Sequence, residues 1–302
     1  MATDPPPAEP TKGLPPVQAP SGRHIVQLFL VPGLIVAGAV TILLGFSWLA
    51  GGSRTPNQFV KNIDSANPDI RWRAANDLAQ VLKRDDKLAA DPAFGLQLTE
   101  RYTRALDEMD RLEKARAELP ASAGDKDVSS ATKTLNDQRA YVQYLGACLG
   151  SLSVPVGAPA LIDTAKNGRG SDPMFRTLVR RQAVWALANL GDSMKRYQKL
   201  SESQKAEVVR KLEEEAASDN PTTRNWAQAA LAWVKDRRSL GVIAALAVCA
   251  GDDHDVFLRE QAAHALGFWE GDADEQRLAE QALLTLARDT GRGERIDPEE
   301  EK

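Results

Sequence analysis

Cysteine is almost missing from this chain: its 302 residues carry two, Cys148 and Cys249, with no CxxC spacing. That excludes a disulfide scaffold. Aromatic residues are scarce as well, at 6%. With alanine and leucine plentiful, the balance favours helices over a β-sandwich. There is no excess of basic charge: 38 Lys and Arg stand against 42 Asp and Glu, a net charge of −4. A nucleic-acid binder usually carries a basic face, so nucleic acid is not an expected partner. No P-loop, GxGxxG, GxSxG or HExxH motif occurs, and the chain has three histidines. No catalytic, cofactor-binding or metal-ligating set follows from such a sequence.

Charge is missing altogether in one place, from His24 to Ser53. As a helix, Ile25 to Ala50 would be about 39 Å long, enough to cross a ~30 Å hydrocarbon layer. Pro32 sits near the first turns, where a lost donor costs least, and Trp48 near the other end. The length is unusual for a buried soluble helix, and Trp48 is out of place before a signal-peptide cleavage site. The expectation is a single transmembrane helix over residues 25–50, with the lipid bilayer as one partner. Basic residues on its two sides nearly balance, with a slight lean towards a cytoplasmic C-terminal domain. Residues 1–24 are rich in proline and read as a disordered arm, and 291–302 as a frayed acidic tail.

Beyond this segment the chain repeats itself. Arg71 is followed at +3 by Ala74 and at +7 by Leu78. The pattern returns as Arg180, Ala183, Leu187, as Arg224, Ala227, Leu231, and as Arg259, Ala262, Leu266. A degraded copy runs Gln138, Tyr141, Leu145. Positions +3 and +7 share one helix face, so each copy predicts an amphipathic helix with a small residue at its closest approach. Asn67-Pro68 and Asn220-Pro221 suit helix starts. Partner helices are expected at 201–218, 240–250, 274–290 and, shorter, 157–165. Leu98, Tyr102, Ala105, Met109, Leu112 and Leu119 form an apolar stripe on a charged helix over 97–119. A polar loop over 120–130 follows, and 97–130 reads as an insertion between the first two copies.

The pattern Asn-Pro-x-x-Arg-x-x-Ala-Ala-x-x-Leu at 67–78 resembles the first helix of HEAT repeats. The resemblance covers most of residues 53–290 and implies an all-α fold, an α-solenoid of stacked helical hairpins. It implies a non-catalytic scaffold or adaptor for protein partners in a membrane-associated complex, with no small-molecule substrate and no cofactor. The alternative is an accessory subunit of an enzyme, since some HEAT-like proteins resemble lyases. Arg71, Arg180, Arg224 and Arg259 are the candidate interaction residues, because aligned repeats could stack them into a ladder. In HEAT-like repeats such arginines more often bond structurally to the next repeat. Asp252-Asp253-His254-Asp255 reads as a helix-capping loop rather than an ion site. Cys148 and Cys249 read as small core residues, His264 as a packing or solvent position, and Trp72, Trp185, Trp226, Trp233 and Trp269 as gap fillers or interface anchors.

Overall fold

Helix starts in this chain share one local device. At Asn67, Asp91, Asp172 and Asn220 an Asn or Asp precedes proline, and its side chain accepts a backbone N–H two residues on. Proline at the first helical position lacks only a donor that would have had no partner. The helices that follow are α1 (Pro68–Leu82), α3 (Pro92–Ala117), α6 (Pro173–Met194) and α8 (Pro221–Asp236). Asp85 caps the short α2 (Asp86–Ala89), and Ser201 with Gln204 builds a capping box on α7 (Glu202–Ala216). Helices α4 (Asp125–Gly150), α5 (Ala158–Asn167), α9 (Val256–Gly267) and α10 (Ala273–Arg288) complete the set, with a 3-10 turn at Lys195–Lys199.

The computed structural model describes residues 26, 30, 32–42, 61–120, 122–236, 256–267 and 273–288. They are all-helical, with no strand among them. The chain divides into two units, Met1–Arg54 and Thr55–Lys302. In the second, α4 packs on α1, α3 and α6, and α6 packs in turn on α5 and α9, which pairs with α10. Helices α1, α4, α6 and α9 thus follow one another in a row. The +3 alanines, Ala74, Ala183, Ala227 and Ala262, are all buried, as are Leu78, Leu187 and Leu266 at +7. Small residues let the row close up: a Cβ on Gly150 of α4 would lie 2.6 Å from the Ala186 carbonyl oxygen of α6. Cys148, also on α4, donates its thiol to the Ala75 carbonyl at 3.2 Å. Burial pushes that thiol up from its ordinary pKa, so it stays protonated in the core. Helix α8 stands apart from the row and packs on α7, α3 and α5.

One expectation about 97–130 changes. The stripe on α3 is real, with Leu98, Tyr102, Ala105 and Met109 buried, and α3 packs on its neighbour α4. The polar loop is short, because α4 begins at Asp125. Its first residues, Asp125 to Ser130, are exposed all round, and so lack the apolar period that marks a helix in sequence.

The single-pass membrane localisation is corrected. Among the described residues no helix is long and apolar enough to cross a membrane. Within the apolar segment the described residues 26, 30 and 32–42 are helical, and crossing a ~30 Å layer takes about 20 apolar residues in one helix. Apart from Val26 and Leu30, the rest of 25–50 lies outside the described residues, as do 1–24, 237–255 and 291–302.

Candidate functional site

The recurring arginines reach towards helix ends. The Arg180 Nε donates to the Ala165 carbonyl at 2.8 Å, near the end of α5, and Arg224 donates to the Ser218 carbonyl at 3.0 Å, just beyond α7. Carbonyls there have no partner within their own helix, and a guanidinium satisfies them while complementing the helix dipole. Arg71 works differently. It donates to Gln138 Oε1 at 2.9 Å and lies 4.9 Å from the centre of the Tyr141 ring. Gln138 passes the bond on to the Ala105 carbonyl at 2.8 Å, so one polar thread joins α1, α4 and α3. Tyr141 donates to the Ile63 carbonyl, and burial pushes its hydroxyl up to about 12. Arg259 lies half-buried on α9. Arg224 belongs to α8, off the row, so the four candidates do not form one continuous ladder.

Two arginines that the sequence reading did not single out join more distant parts. Arg139 of α4 pairs with the buried Glu113 of α3 at 3.0 Å and covers the Phe175 ring at 3.7 Å. Glu113 also accepts the Ser171 backbone N–H at 2.9 Å, which pins the α5–α6 loop. Gly170 has a φ of 97°, and a Cβ there would lie 2.7 Å from Glu113 Oε2, so glycine is required twice over. Glu113 had a legible signal, since it follows Met109 by four residues on the apolar stripe of α3 and needed a buried cation. Arg196 had none. It donates to the Leu82 carbonyl at 2.8 Å, to Asp86 at 3.2 Å and to the Ser151 carbonyl, closing the ends of α1 and α4 together.

A concavity among the described residues lies between α2 with the start of α3 and the chain from Lys199 into α7. Two confluent hollows of about 410 and 530 Å³ share Lys87, Leu200 and Gln204. Ala90, Pro92, Leu200 and Val208 form a buried apolar floor. The carboxylates on the walls are all engaged. Asp85 caps α2, Asp86 takes Arg196, and Asp91 caps α3 and takes Lys211 at 3.2 Å. Glu207 pairs with Arg210, whose hydrogen bonds hold that carboxyl below its ordinary range. The side chains of Arg84, Lys87 and Lys199 are exposed, and no hydrogen bond or ion pair joins them to the described residues.

His264 is exposed on α9. Trp226 is buried, Trp72 stacks on Tyr144, and Trp233 meets Tyr197 edge-on, whereas Trp185 remains 48% exposed. Asp252 to Asp255, Cys249 and Trp269 lie outside the described residues. No group of three or more potential metal ligands occurs among the described residues. No family model matches the chain, and no curated protein is similar to it.

Proposed function

We propose that residues 53–290 form a HEAT-like α-solenoid that serves as a non-catalytic scaffold or adaptor for protein partners. The observation that carries this reading is the row α1, α4, α6, α9, in which Ala74, Ala183 and Ala262 of α1, α6 and α9 are buried and each helix packs on the next. Such stacking leaves long flanks free for docking. The engaged arginines support the same reading, because their donors close helix ends and hairpins instead of converging on a reacting centre.

Cross-linking of the full chain in a cell extract tests it. The expected result is a reproducible protein partner whose cross-links map onto the helices of 61–288. A tightly held small molecule in the purified chain, seen by native mass spectrometry, would instead favour an accessory subunit of an enzyme and overturn the scaffold.

A further inference from the structure

We infer that the groove between α2 and α7 receives an acidic peptide segment of a partner protein, with an aliphatic side chain seated on the floor of Ala90, Pro92, Leu200 and Val208. The inference rests on the scaffold reading and names the chemistry of its partner. Charge supplies the argument. Four carboxylates line the two hollows, and each is occupied by a cap or a cation of the protein itself. Of the cations there, Lys211 is committed to Asp91, which leaves Arg84, Lys87 and Lys199 outside any ion pair above an apolar floor, against one carboxylate, Asp85, that only backbone N–H groups hold, a surplus of positive charge. A neutral apolar peptide would leave this surplus without partners, and a basic peptide would add to it.

A nucleic acid fits less well. The groove lining holds no aromatic ring for base stacking, and the chain as a whole is anionic. The carboxylates on the rim would also face a phosphate backbone, whereas a short peptide can place its own acids between them. Rim charges of this kind set association rate and salt sensitivity, and the floor sets residence.

The test uses the full chain and dye-labelled peptides of alternating glutamate and leucine, read by fluorescence anisotropy. Parallel arms use the glutamine counterpart, the lysine counterpart and a short single-stranded oligonucleotide. The acidic peptide is expected to bind at least tenfold more tightly than either counterpart, and to weaken with added salt. The Arg84→Glu, Lys87→Glu, Lys199→Glu variant is expected to lose at least tenfold, with an unchanged far-UV spectrum. Should that variant fail to fold, Lys87→Gln with Lys199→Gln reads the same loss at a smaller size. Equal binding of the glutamine peptide, indifference to the charge variants, or an oligonucleotide that binds as tightly and with the same sensitivity would overturn the inference. So would a tenfold gain in peptide affinity on removal of residues 291–302, which would give the groove to the chain's own acidic end. A cross-linked partner retained by the triple variant would leave the scaffold standing and remove only the groove.

Discussion

Single side chains in this protein repay attention where burial and charge meet. Asp110 sits on α3 beside Arg169 at 3.6 Å. Burial nonetheless lifts its carboxyl above the ordinary range, with the Arg169 charge opposing. The folded state therefore holds the Asp110 proton more tightly than the unfolded chain does. Its contribution to stability is greatest at low pH and declines as pH rises from about 4 through the raised folded value. Asp110→Asn is expected to abolish that decline, seen as a difference in urea midpoints between variant and parent that grows from about pH 4 and levels off above the raised folded value. Arg196 is the second case. Its guanidinium serves two main-chain carbonyls on different helices. Arg196→Ala is expected to cost about 2–3 kcal/mol in urea unfolding, because both acceptors lose a charged donor. Unchanged stability would show that water replaces the guanidinium without loss.

Helices were the most legible scale. The +3 and +7 spacing placed α1, α6, α8 and α9 because each buries a narrow stripe, and a stripe leaves a period in sequence. The first turns of α4 bury nothing, so their period is missing and they read as loop. The same logic hid the groove, whose walls come from α2, α3 and α7 and whose free cations look like any solvated lysine. The polar thread through Gln138 escaped as well. In sequence that residue read as a defective arginine copy, while in the fold it receives the Arg71 bond. Helix starts give a direct test. Asp91 accepts from Ala93 N–H at 3.1 Å and pairs with Lys211 of α7. Asp91→Ala is expected to cost about 1 kcal/mol for the cap. Lys211→Ala in the same background should add almost nothing if the pair acts only through Asp91, a question for a double-mutant cycle.

At the scale of the whole molecule, the division at Arg54 and Thr55 sets the expectation for truncation. The core described here, from Ile63 to Ala279, draws its buried side chains from the second unit. A chain starting at Thr55 is expected to fold alone, with a helix-dominated far-UV spectrum and the melting temperature of the full chain. A molten spectrum would mean that 1–54 contributes to the core. The uncharged segment gives the opposite lesson about reading sequence. Composition alone suggested a membrane span, whereas no described helix there is long and apolar enough for one, and Leu34, Ile35, Val36, Val40 and Ile42 are exposed. Composition reports what a segment avoids, not how much of it is one helix.

Arg196 also imposes an order on biosynthesis. Its bonds reach back 114 residues to Leu82 and 45 to Ser151. At synthesis rates of about 5–20 residues per second, α1 therefore waits roughly 6–23 s after its last residue is made before the side chain that seals it has been polymerised. Throughout that interval the nascent first helices carry an open seam, and the Asp91 end of α3 waits a little longer still, for Lys211, 120 residues on.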